Sequence, residues 1–413
     1  MKKNIDCKIQ RMLDSQKKHI SFHTPGHKRA GADITELSYS DNLYSPSGVI
    51  ARAERDVAEI LGANRSFLLT DGSTSGVYAM FAAVKKAGAT RIAAPAYSHV
   101  CVKNACEVLG LEIIEIPEVI RDGIPQQPST GDIETALNFA DALLLTSPDY
   151  YGNVAPLQEA KSICVRADKP FLVDGAHGSH LHFTREHAGR YADMWVDGVH
   201  KSLPALTQGA VVSAASAVWA ERLAKSVRLF RTTSPSYPIL ASVEYAVKYP
   251  RNEQLEQTAT VLKRALGAYP NGDWSKLVIP FGKHADEAQT YLEKHGVYAE
   301  FNDGNYLMFY LSPATTLKEL EKLCKLLEKL PREEVFLGTV KTKGHGKKQT
   351  VTTWLPLKEA IGRTCAEDAG LFPPCMPLVK KGEIITERIA SRLMLASSTY
   401  GLQDGKIAVV EEE

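Results

Sequence analysis

Between residues 50 and 215 short apolar runs alternate with helix-like segments, and this alternation narrows the fold more than any other feature of the chain. The runs are SFLLT (66–70), RIAAP (91–95), LEIIEI (111–116), ALLLT (142–146), PFLVD (170–174), MWVDG (194–198) and GAVVSA (209–214). Segments such as SGVYAMFAAVKKAG and LQEAKSICVRAD lie between them. Apolar strands separated by helices predict an α/β fold with a mostly parallel sheet covered on both faces. Sheets of this kind bind ligands beyond the carboxyl ends of their strands. Polar clusters fall at five of those ends: TDGSTSG, PAYSH, TSPDYYG, DGAHGSH and GVHKS. They are either five ordinary turns or five walls of one crevice.

The rest of the chain sets limits. A length of 413 residues exceeds one ordinary core, so two or more lobes are expected. After residue 250 the pattern changes: NEQLEQTATVLKRALGAY and TTLKELEKLCKLLEKL read as helices, and KLVIPF, VYAEFND and YLMFYLS as strands. The expected division is an N-terminal arm (1–48), a large domain (49–245) and a smaller α+β C-terminal domain (246–413). TVKTKGHGKKQT (339–350) reads as an exposed loop. A net charge of +1 gives no global attraction to nucleic acid or to an anionic membrane. No run approaches the ~18 apolar residues of a membrane span. The first residues, MKKNIDCKIQRMLDSQKKH, lack the apolar stretch of a secretory signal and read as an amphipathic arm. Seven scattered cysteines without CxxC pairing fit reduced thiols, hence a cytoplasmic protein.

The clusters carry recognisable chemistry. Gly72, Ser73, Thr74 and Ser75 stand between a strand and a helix, where free N–H groups and a partial positive charge suit a phosphate. Neither GxxxxGK[ST] nor GxGxxG is present, and simple N-capping is the alternative. Asp174 ends an apolar strand, where a carboxylate needs a cationic partner: a protonated ring nitrogen, or else a salt bridge. His177, His180 and His182 raise a metal alternative, but the spacing is not a standard zinc pattern and no cysteine or acid pair completes it nearby, so no metal is expected. His99 is a capping or a stacking histidine. Lys201 follows His200 just after an apolar strand, where it either marks a turn at the surface or is a nucleophilic amine held in a pocket. A phosphate cradle, a strand-end carboxylate, a stacking histidine and such a lysine are the parts of a pyridoxal 5'-phosphate site. There the amine forms a Schiff base with the aldehyde and the carboxylate keeps the ring nitrogen protonated.

The stretches HTPGHKRA (23–30), DNLYSPSGVI (41–50), LLTDGSTSG (68–76), TSPDYYG (146–152), VDGAHGSH (173–180), HKSLPALTQGA (200–210) and RTTSPSYPILAS (231–242) resemble the ornithine/lysine/arginine decarboxylase family. Weaker matches lie in GRTCAED and FPPCMPLVKKGE. The chain resembles the short forms, without a receiver-like wing domain. The resemblance implies the aspartate-aminotransferase-like fold (fold type I), with Lys201 as Schiff-base lysine, Asp174 as partner of the pyridine nitrogen, and His99 stacked on the ring. It implies His200 as a proton donor at the reacting centre, Ser73 and Thr74 on the phosphate, and Ala176 and His177 under the ring and near its phenolic oxygen. It further implies a homodimer in which Thr233 and Ser234 approach the partner's cofactor, and an amino-acid substrate. Departures stand at Gly175, Gly198 and Val199, where the family carries a glutamate, a serine and a small hydroxyl residue, and in LFPPCMP (371–377). Two readings follow: decarboxylation of lysine, arginine or ornithine to a polyamine-type amine, or another lyase, an aminotransferase or a cofactor-binding regulator. An aminotransferase needs an arginine for the α-carboxylate, and Arg363 is its candidate.

Overall fold

The computed structural model describes residues 5–29, 33–341, 352–372, 377–396 and 398–411. Seven strands form one sheet, in the spatial order Arg65–Leu69, Ala210–Ala214, Met194–Asp197, Phe171–Gly175, Ala142–Thr146, Arg91–Pro95, Glu112–Ile116. All seven runs expected as strands are present. Ala210–Ala214 pairs antiparallel with both neighbours, and the remaining pairs are parallel. Successive strand residues alternate between two cores. Leu143, Leu145, Val173, Trp195 and Val211 join one apolar cluster; Ala142, Leu144, Leu172, Val196 and Val212 join the other. Both faces are therefore dry, which is why these strands read as unbroken apolar runs.

The N-terminal helix Lys8–Ser15 lies on this domain. Its Ile9 and Leu13 enter the first cluster, and the buried Glu244 accepts from the backbone N–H groups of Lys8 (2.8 Å) and Ile9 (2.9 Å). A carboxylate from another helix thus satisfies the free end of the arm. Beyond residue 250, strands Lys276–Pro280, Tyr306–Tyr310 and Phe301–Asn302 form a small antiparallel sheet. Helices Glu253–Ala265, Ala285–Lys294 and Leu317–Leu327 cover it through Leu255, Leu292 and Leu320. A separate apolar cluster gathers Leu357, Cys365, Ala390 and Val409. Of VYAEFND only Phe301–Asn302 joins a ladder; Tyr298 is exposed and has no sheet face to bury it. Thr339–Lys341, expected as loop, pairs with Val119–Arg121; residues 342–350 of that loop and 373–376 of LFPPCMP lie outside the described residues. The cysteines described are free thiols, and no helix among the described residues is long and apolar enough to cross a membrane.

One buried ion pair ties three elements together. Arg231, at the end of helix Ala217–Phe230, donates to Glu54 of helix Val49–Leu61, to Leu68 O (2.7 Å) and to Leu43 O (2.9 Å). Glu54 also accepts the Leu68 N–H at 3.1 Å. Removing one partner leaves the other charge uncompensated in a dry site. Glu54→Ala is predicted to lower unfolding free energy by about 3–5 kcal/mol in urea titrations; a loss within ~0.5 kcal/mol would mean the pair is not structural.

Candidate active site

The five polar strand ends line one cavity of about 610 Å³: Gly72, Ser73 and Thr74; Tyr97 and His99; Thr146, Asp149 and Tyr150; Asp174, Ala176 and His177; His200 and Lys201. Lys201 sits on the single helical turn Val199–Ser202 that follows strand Met194–Asp197. Its Nζ is 3.2 Å from His177 Nε2. An ammonium only donates, so Nε2 accepts and the His177 proton rests on Nδ1. That Nδ1 is buried without a partner, as is Thr146 Oγ1 on the same cavity. Both atoms are polar groups left for something else to satisfy.

Asp174 is 2% exposed, and its Oδ1 accepts from the Ala176 N–H at 3.1 Å. Burial raises its pKa, and Lys201 opposes the rise. A bound cation would complete this site better than water can. His99 caps helix Val100–Leu109: its Nδ1 accepts from the Cys101 N–H at 3.1 Å, which puts the ring proton on Nε2. Burial, then the charge of Lys201, pushes its pKa down to about 4, so it is neutral at physiological pH. His200 Nδ1 donates to Gly209 O at 3.0 Å, leaving Nε2 as the free nitrogen; burial lowers its pKa.

Helix Gly72–Lys86 begins at the cavity with no side-chain cap, since the Asp71 carboxyl is engaged by Thr70 (3.4 Å) instead. Its open end, with the Ser73 and Thr74 hydroxyls, can hold an anion. Ser75, expected on the phosphate, turns its hydroxyl back to Gly72 O (3.1 Å) and is not on the cavity, because helical periodicity rotates it inward. Thr233 and Ser234 are exposed and do not line the cavity of their own chain. The histidine run does not converge: His177 meets Lys201, His180 meets Asp273 (2.8 Å) and His182 meets Ser179 O (2.7 Å). Arg363 donates to Val410 O (3.3 Å) and is not a lining residue.

Several lining residues were not singled out from the sequence. Glu118 follows the third expected strand and accepts from the Tyr97 N–H (2.6 Å); burial raises its pKa against the pull of Lys380. Asp149, in the quoted TSPDYYG, is pushed up to about 7 by burial, against hydrogen bonds from Asn153. Glu300 and Tyr310 come from the small lobe. Tyr150 joins the two sides: its hydroxyl donates to Glu300 (3.0 Å), its carbonyl accepts from Tyr310 (2.5 Å), and its ring meets the His177 ring edge-on at 5.2 Å.

The departures at Gly175 and Gly198 have a steric basis. A Cβ on Gly175 would lie 2.9 Å from Val196 O, and one on Gly198 only 2.4 Å from Ala176 O. Adjacent strand ends approach too closely here for a side chain on this backbone. A serine at 198 would displace Ala176 before it could offer a hydroxyl. Gly198→Ala is predicted to cost about 1–3 kcal/mol in chemical unfolding, through backbone displacement. Unchanged stability would show that the strand ends part without strain.

A model of the Orn/Lys/Arg decarboxylase major domain matches residues 26–270. The uncharacterized protein YaaO of Bacillus subtilis is 29% identical, covering 95% of this chain and 94% of its own. The arginine decarboxylase of Halalkalibacterium halodurans is 28% identical over 89% of this chain and 88% of its own. Among solved structures, the lysine decarboxylase LdcF of Francisella novicida superposes with a TM-score of 0.74 at 17% identity, over 99% of this chain and 82% of that one. A structure of SPT with PLP shares the fold at a TM-score of 0.57 and 12% identity, over 78% and 81%. The convergence of strand ends seen here is therefore built on the decarboxylase fold, and the chain, matched over more than half its length, is a decarboxylase belonging to the Orn/Lys/Arg decarboxylase family.

Proposed function

We propose that the chain removes the α-carboxylate of a basic amino acid (lysine, arginine or ornithine) with pyridoxal 5'-phosphate held on Lys201. The observation that carries the reading is the charge pattern of the cavity. Beside Lys201 and Asp174, the acidic residues lining it are Glu118, Asp149 and Glu300, and no arginine lines it among the described residues. Carboxylates suit the distal cation of a basic side chain, whereas an aminotransferase needs a guanidinium for the α-carboxylate. The relatives named arginine decarboxylase support the same substrate class.

The residues present fit the cofactor. When bound, it supplies an electron sink for the pair released as the Cα–carboxylate bond breaks. Lys201 is the amine that holds it, close to the neutral nitrogen of His177. Asp174, dry and short of partners, holds a proton on the ring nitrogen. The open end of helix Gly72–Lys86 takes the phosphate, with Ser73 and Thr74. His99, neutral and fixed by its Cys101 bond, offers a flat face without adding charge. His200 is anchored through Nδ1, and its Nε2 is the nitrogen that can carry a proton to Cα. Ala176 and His177 complete the floor. A homodimer in which Ser234 reaches the partner's cavity, and a cytoplasmic location, belong to the same proposal; Ser234 is exposed and available for such a contact.

Supplied with the cofactor and a panel of amino acids, the protein is expected to release CO2 and the matching amine from at least one of lysine, arginine and ornithine. Asp174→Asn should lower that turnover by orders of magnitude with little change in thermal unfolding. Stoichiometric keto acid without CO2 would contradict decarboxylation of this substrate class, and near-normal turnover of Asp174→Asn would reduce that residue to a structural cap.

A further inference from the structure

Behind the cavity wall the small lobe buries a cation that the chemistry above does not use. Lys276, the first residue of strand Lys276–Pro280, is 0% exposed, and its Nζ has no hydrogen-bond partner. The Nζ stands 3.7 Å from the centroid of the Tyr310 ring and 3.9 Å from Asp273 Oδ2. Asp273 is equally buried, and Oδ2 also lacks a hydrogen bond. Its Oδ1 accepts from His180 Nε2, the Ser275 N–H and the Ser275 hydroxyl, each at 2.8 Å. An ammonium in such a place carries a large desolvation cost, and a methionine would fill the same volume without it. Packing alone does not account for it.

Both members of the pair reach the same short segment of the large domain. Lys276 backs Tyr310, whose ring meets the His177 ring edge-on at 5.8 Å, and His177 is the residue in contact with Lys201. Asp273 holds His180, three residues further along the same segment. We infer that Asp273 and Lys276 are a positioning pair, which fixes His177 against Lys201 from the small lobe and sets the electrostatic potential at that contact. The inference rests on the reading of Lys201 given above.

The charges around the contact can be named. Lys201, Lys276, His99 and His200 act on His177, with the rings of Tyr150 and Tyr310 against it. Asp273, Glu300, Lys201 and Asp149 act on Lys276. Burial lowers the proton affinity of His177, and the charges of Lys201 and Lys276 lower it further. Burial would raise the Asp273 pKa, but His180 and Lys276 hold it well below the usual carboxylate range, so it is an anion at neutral pH. Burial lowers the proton affinity of Lys276, and Asp273 and Glu300 oppose that; a positive and a negative group at one dry site have opposite effects when each is removed.

The test is the visible absorption of the pyridoxal-phosphate-loaded protein as a function of pH. The titration midpoint of the band should move up in Lys276→Met and down in Asp273→Asn, each by on the order of 1 pH unit, and Lys276→Arg should stay near wild type. The kcat of Lys276→Met should fall while KM holds. Midpoints that coincide, that shift in the same direction, or a band that does not titrate in any of the proteins would overturn the inference and leave the pair a packing element. Lys276→Gln stands in if Lys276→Met does not fold, and failure of both to fold with cofactor assigns Lys276 to stability, which also overturns it. A wild-type protein without the band, or a band that survives in Lys201→Ala, would instead sink the reading of Lys201 and this inference with it.

Discussion

A mostly parallel sheet dry on both faces has one place to present polar side chains, the edge where its parallel strands end. Leu143 and Leu144, or Val211 and Val212, go to opposite cores and leave no room for chemistry along the strands. The polar residues that follow the strands are then forced towards one another. Asp174 and Lys201 come from the ends of neighbouring strands, and His99 and Thr74 from helices that start at the same edge. The site is a consequence of burying the sheet.

Desolvation sets the character of what gathers there. It keeps His99 neutral, raises the carboxyl of Asp174 and works against every unpaired charge on the wall. Lys201 meets a neutral nitrogen in place of a carboxylate, so its amine is not locked into an ion pair. The cavity gathers three further acidic side chains, and no arginine lines it among the described residues. The small lobe closes this arrangement through Tyr310 and Glu300, both joined to Tyr150.

Much of this was legible in the sequence, for physical reasons. RIAAP and ALLLT form strands over the very residues quoted, because strands buried on both faces are written as continuous apolar runs. Lys201 and Asp174 could be found because each stands directly beyond such a run. Ser75 stands off the cavity, and the sequence cannot tell this, because three hydroxyl residues in a row look alike until helical rotation turns one inward. Glu118 gives no such signal, because a proline and a glutamate after a strand resemble any turn. Tyr310, Glu300 and Lys276 carry no local signal. Their place at the cavity, or behind it, depends on how the small lobe docks, and no periodicity or spacing near them records that contact.

The central claim is that five strand ends converge on one reactive amine. It is tested most directly by loading the protein with pyridoxal phosphate, reducing it with borohydride and mapping the modified peptide. The account predicts a single label, on Lys201, within the peptide that also contains His200. A label on another lysine, or no label at saturating cofactor, would contradict it.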